Sequence, residues 1–279
     1  MLVLLAALAA LSSPPTAISP AELHACLGQD KVAASLETYA KMKAALSQAE
    51  WADACRQARD ANARRQSLRR VIAETGVSPV PGFQSAVSMV AQAKKAKDPD
   101  AAQLFRLVFE DQIARGGLSG YKTPISLGLS PTARKLYDGL VAWDAVEADA
   151  KSREWLRATV ARRGWFTIDR DGPAADAAAW LIVQHADEDL AFKREMIAII
   201  EPLTASGQSR REPFPSMYDR WAFAAKEPQR FGLNGVCKGP GVWDSGPIED
   251  PARIDERRAA FGLRQSFADY TKEMSARCP

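Results

Sequence analysis

Residues 130–164 read SPTARKLYDGLVAWDAVEADAKSREWLRATVARRG, and the class of the fold turns on them. Ser130 followed by Pro131 is a helix start, because the hydroxyl can accept from an unpaired first-turn amide and a proline at the first helical position loses no hydrogen bond. Ala, Leu, Glu, Lys and Arg then predominate as far as Gly164, a composition that predicts one long helix. Ala142, Val146, Asp149, Arg153, Leu156 and Val160 follow each other at intervals of three or four and form its expected inward row, with an Asp/Arg pair one turn apart inside it.

Working outward, the same signals recur. The stretch from Asp30 to Ala73 lacks Gly and Pro and suits two antiparallel helices, ended by the TGVSPVPG loop at 75–82. A helix over 83–97 stops at Asp98-Pro99-Asp100, and another over 101–115 stops at Gly116-Gly117. Downstream, Asp171-Gly172-Pro173 opens a helix expected to run past Phe192 into Ile200, until Pro202 and Gly207 break it, and Ser216 starts the next. After Phe231-Gly232 the chain is Gly/Pro-rich to Pro251, with short helices near 253–261 and 265–276. Strand signals are scarce and no repeat is visible. The expected fold is mainly α, an irregular helical bundle: an N-terminal helical hairpin region over 22–98 and an all-helical C-terminal domain over 99–279.

Thirty-seven basic against 34 acidic residues leave a net charge of +3, too small to point to nucleic acid or an anionic surface. Leu2–Leu11 is a ten-residue apolar run followed by SSPPTAISPA, the length of a signal-peptide core and too short to span a bilayer. Residues 1–21 are therefore expected to be a signal peptide cleaved after Ala21, with Ala17 a second position, although no Lys or Arg precedes the run. No transmembrane span is expected in the mature chain. Four cysteines, Cys26, Cys55, Cys237 and Cys278, suit the periplasm or extracellular space. Of three possible pairings the sequence-local one is favoured, Cys26 with Cys55 and Cys237 with Cys278. No CxxC spacing supports a zinc site, His185 with Asp189 would supply only two ligands, and neither metal nor cofactor is expected.

Polar residues interrupt several apolar stripes. Leu104, Val108, Asp111 and Arg115 share one helix face with Gln112 beside it, and in Ala177–Phe192, AAAWLIVQHADEDLAF, an apolar run meets Gln184, His185 and Asp187. Helices that turn such groups inward can satisfy them in a shared network, whereas Asp/Arg pairs one turn apart are just as commonly solvated. Asp111, Gln112, Arg115, Asp149, Gln184 and Arg220 are the candidate ligand-binding set, with His185 and Asp187 as candidate catalytic groups. Ser216 and Asp219 fit a capping box. Arg64, Arg65, Arg69 and Arg70, without interleaved aromatics, read as a solvated basic face. Phosphate-loop, GxSxG and HExxH motifs are absent.

Gly164–Thr167 (GWFT), Trp180–Asp187 (WLIVQHAD), Asp219-Arg220, Gln229–Gly232 (QRFG), Pro247–Asp250 (PIED), Arg257-Arg258 and Gly262-Leu263 occur in the order of motifs that this chain shares with a family of bacterial proteins of unknown function. The chain resembles that family over roughly residues 105–270, with Asp111, Gln112 and Arg115 similar to its DQxxR element. It departs at Phe166 where the family has proline, at Leu233-Asn234 where it has Thr-Gln, and at Ser152 where asparagine is expected. The resemblance implies a shared domain and polar site but no activity. The favoured function is an exported cell-envelope binding or interaction protein, with a polar pocket around His185 and N-terminal helices facing a partner. Its ligand is an unidentified small molecule or envelope protein, not nucleic acid. The alternatives are a purely structural polar core, and a hydrolase in which His185 acts as general base, oriented by Asp187 or Asp149, with Arg115 or Arg220 stabilising a developing anion.

Overall fold

The stretch from Ser130 to Gly164 forms a single 33-residue helix, α6 (Pro131–Arg163), in a computed structural model that describes residues 18–29, 32, 35–118, 120 and 123–279. The Ser130 hydroxyl accepts from the Ala133 amide at 3.2 Å, and Gly164 ends the helix with a φ of 77° that a side chain would resist. The expected row holds at Leu156 and Val160, but before them the buried face lies one residue away. Val141, Ala145, Ser152, Leu156 and Val160 are buried, while Val146 is exposed.

The chain divides into two compact units, Met1–Gln84 with Gln112–Val146, and Ser85–Asp111 with Glu147–Pro279. Each takes part of α5 (Pro99–Gly117) and part of α6. The first unit also contains α1 (Pro20–Leu27), α2 (Leu36–Ala44) and α3 (Gln48–Thr75). Capping boxes start α1 and α3, Ser19 with Glu22 and Ser47 with Glu50. A bond from Lys43, with Ser19 adding two more, holds the Glu22 carboxyl down to about 2. The Cys26–Cys55 disulfide joins α1 to α3, and Arg59 donates to the carbonyl oxygens of Ala25 and Cys26 at the end of α1. Most of the leader expected over 1–21 lies outside the described residues, but Ala21 falls inside α1, and Ile18 just before it is buried.

Arg65 corrects the expected basic face. It lies on the α3 stripe of Ala61, Leu68 and Ile72, is 1% exposed, and donates to Asn62 and to Asp144 of α6. Its neighbour Arg69 is half-buried and Arg64 and Arg70 are exposed, so one position of four is drawn in by the helix period. Gly139, unfavourable inside a helix, is explained by Tyr39, whose phenol oxygen would lie 2.0 Å from an added Cβ.

The second unit adds α4 (Gln84–Lys95), α7 (Ile168–Asp171), α8 (Pro173–His185), α9 (Leu190–Ala205), α10 (Phe214–Ala225), α11 (Ile254–Ala260) and α12 (Phe267–Ala276). Its core interleaves Leu104 and Val108 of α5, Leu156 and Val160 of α6, Trp180 and Val183 of α8, Phe192 and Met196 of α9, and Phe214 of α10. Phe261 stacks on Phe214 at 5.4 Å and meets Phe231 edge-on at 5.2 Å, which seats the end of α11. Two buried acids organise the connections. Asp176 accepts from Trp165 Nε1, Ser209 and the Arg210 amide, and Asp219 accepts from the amides of Arg230, Phe231 and Leu233.

Four expectations fail in this unit. α8 stops at His185 instead of running to Ile200, because Asp189 caps a new helix by accepting from the Phe192 amide at 2.9 Å. α9 in turn continues through Pro202 to Ala205. Asp219 caps nothing: α10 begins at Phe214 without a side-chain cap, and the carboxylate serves the 230–233 segment. The C-terminal region is not all-helical, since Val236–Gly239 (β1) pairs antiparallel with Val242–Asp244 (β2) around Pro240-Gly241. Pro fixes φ at the first turn position, and Gly241 takes the positive φ of 69° required at the second. The Cys237–Cys278 disulfide then ties this hairpin to the residues after α12. Both cysteine pairings are those expected from the sequence.

Candidate functional site

Three helices of the second unit deliver polar groups to one place. Asp111 is the residue at which α5 leaves this unit, Asp149 lies near the start of the unit's share of α6, and His185 is the last residue of α8. The apolar row Leu104, Val108 and Asp111 points inward as its spacing requires, leaving Asp111 4% exposed. His185 Nδ1 lies 3.0 Å from Asp111 Oδ1, and the imidazole is 18% exposed. One ligand atom from each of Asp111, Asp149 and His185 falls within 4.8 Å of the other two. Asp149 and His185 are half-buried, so the cluster meets solvent on one side. Its donor atoms are of the kinds that hold a metal ion or move a proton.

The other candidates take different places. Asp187 lies in the turn after α8, its amide bonded to the His185 carbonyl, and its carboxylate bridges Lys193 and Arg220. Burial pushes that carboxyl up, but the two cations outweigh burial and hold it below the ordinary range. Lys193 is 1% exposed, and burial lowers its ammonium against the opposing pull of Asp187 and Asp149. Gln184 is exposed and, with Arg220, Lys193, Ser216 and Trp180, lines a cavity of about 90 Å³. Gln112 and Arg115 follow Asp111 on α5, half-buried, in the residues assigned to the first unit. Asp189 pairs with Arg153 and Arg157, each at 3.3 Å, and caps α9.

The sequence placed all three in one expected polar pocket, although 38 and 36 residues of chain separate them, but did not single them out from Gln112, Gln184 and Arg220. It missed Lys193, which looks like one more helical lysine. The signal available was its position one residue after Phe192 and three before Met196, on the buried face of α9. A larger cavity of about 680 Å³ lies between α4, α5, α6 and α8 and contains none of the candidates. Its Arg163 and Arg170 are already held by Asp98, Asp171 and the Trp165 carbonyl, and Lys95 and Lys97 also line it.

Residues 140–275 match a family of unknown function (DUF6624). Asp149, Gln184, His185, Asp187 and Arg220 lie inside the matched span, and Asp111, Gln112 and Arg115 lie before it. The match is shorter at its start than the resemblance over roughly 105–270. No curated protein and no solved structure matches the chain.

Proposed function

We propose that this is an exported protein of the cell envelope whose second unit binds a small polar ligand at the cluster of Asp111, Asp149 and His185. The convergence of three titratable side chains from three helices, two of them only half-buried, is the observation that carries the reading, because a purely structural cluster would be fully buried. All four cysteines are paired, and among the described residues no helix is long and apolar enough to cross a membrane, which fits the expected leader and an oxidising compartment. A thermal-shift screen of small polar metabolites on the wild type and on Asp149→Asn tests the site. A hit that stabilises the first and not the second supports it, while equal shifts in both refute it.

A hydrolytic reading has one specific observation in its favour, the 3.0 Å contact between His185 and Asp111. A carboxylate at that distance fixes the imidazole tautomer and leaves Nε2 as the base. Asp111 then takes the orienting role expected of Asp187 or Asp149, because Asp187 is committed to Lys193 and Arg220. Turnover of a hit from the same screen, lost in His185→Gln, would favour hydrolysis over simple binding.

A further inference from the structure

We infer that Asp111, Asp149 and His185 hold a divalent transition-metal ion, of the class of Zn²⁺ or Mn²⁺. The inference deepens the proposed function and rests on reading this cluster as the working site. Its first support is geometric. A six-coordinate ion with bonds of roughly 2.1 Å sets adjacent ligand atoms roughly 3.0 Å apart and opposite ones roughly 4.2 Å apart. His185 Nδ1 and Asp111 Oδ1 already stand at 3.0 Å, and all three donor atoms lie within 4.8 Å. Side-chain rotation that brings Asp149 to one of these spacings completes the set.

Chemistry narrows the ion. Mg²⁺ and Ca²⁺ favour all-oxygen shells, whereas an imidazole with two carboxylates suits Zn²⁺, Mn²⁺ or Fe²⁺. The donors come from three helices of one unit, the way helical bundles build metal sites in their interiors. The ion binds Nδ1 as a bare ring nitrogen, so any proton there moves to Nε2 or to solvent. Three protein ligands leave positions open for water or for an oxygen of the bound molecule, the arrangement of a working site and not of a structural one.

The chain has two histidines, His24 in α1 and His185, so ring ¹⁵N spectra of the intact protein contain their own control. Titration with Zn²⁺ should move the His185 ring nitrogens to metal-bound positions at a single equivalent and leave His24 unchanged. Asp149→Asn, a half-buried and nearly isosteric change, should weaken Zn²⁺ and Mn²⁺ by more than the roughly 10- to 100-fold typical of losing an outer-shell partner. An unresponsive His185 in the wild type overturns the inference whatever the variant does, and so does unchanged affinity in a folded Asp149→Asn. If His185 ignores both metals while a metabolite hit is still lost in Asp149→Asn, the metal fails and the small-molecule site survives. If Zn²⁺ binds at His185 while the metabolite screen stays empty, the metal site stands and the small-molecule reading falls.

Discussion

Replacing Asp219 by alanine tests how far one buried carboxylate shapes the second unit. Its side chain is fully buried, with Oδ1 accepting from the amides of Arg230 and Phe231 at 2.9 and 3.1 Å and Oδ2 from Leu233 at 2.8 Å. Burial raises its carboxyl, and these amides together with Arg258 oppose the rise. Truncation leaves three backbone donors without their acceptor. A fully desolvated donor left unpaired costs about 1–3 kcal/mol; the Phe231 amide is buried, whereas those of Arg230 and Leu233 can recruit water. The Phe231 amide alone accounts for about 1–3 kcal/mol and the other two add less each, a large share of the roughly 5–15 kcal/mol that stabilises a typical domain. Phe231, packed against Tyr218 and Phe261, should loosen with it. Urea unfolding followed by far-UV circular dichroism measures the loss, and hydrogen exchange at Phe231 and Leu233 shows whether it starts there. A midpoint close to wild type with those amides still protected would refute the reasoning.

Cys237→Ser with Cys278→Ser opens a loop of 41 residues and should cost about 4 kcal/mol through unfolded-state entropy, seen as a lower urea midpoint; no change would mean that the hairpin and the chain end are held by packing alone. Asp187, held below the ordinary carboxylate range, contributes stability that is present above its unfolded value of about 3.9 and lost as pH falls through its lower folded value. Asp187→Asn should therefore flatten the acid limb of melting temperature against pH below about 4, and a parallel limb would refute the pairing with Lys193 and Arg220. Cleavage after Ala21 would remove Ile18 and the Ser19 cap, so the mature chain should begin at Ile18, after the alternative position Ala17. Intact mass of the exported protein decides it, and a start at Glu22 would show that the α1 cap is dispensable.

Helices were legible wherever local chemistry settles the question. Ser130-Pro131 and Gly164 bound α6 as expected, and Ser47 with Glu50 shows why a Gly-free stretch begins a long helix where it does. Two of the failures share a cause: a side chain is bonded to something other than its local option. Asp189 reads as a helix-surface acid until it is seen capping α9, and Asp219 reads as a cap until it is seen holding residues 230–233. Local spacing offers both choices, and tertiary contacts decide between them.

The polar site was partly legible for the same reason. Period alone turned Asp111 inward, since Leu104 and Val108 fix that face. Period could not group Asp111 with Asp149 and His185, because the grouping depends on where three helices cross. Nor could it show that Asp187 belongs to the turn after α8, where Lys193 and Arg220 claim it. The conflict inside AAAWLIVQHADEDLAF resolves into two neighbouring jobs. α8 ends at His185, on the cluster with Asp111 and Asp149, and the acids that follow build the turn into α9. Asp189 does so by capping, and Asp187 by neutralising a lysine that would otherwise be buried with its charge unmatched.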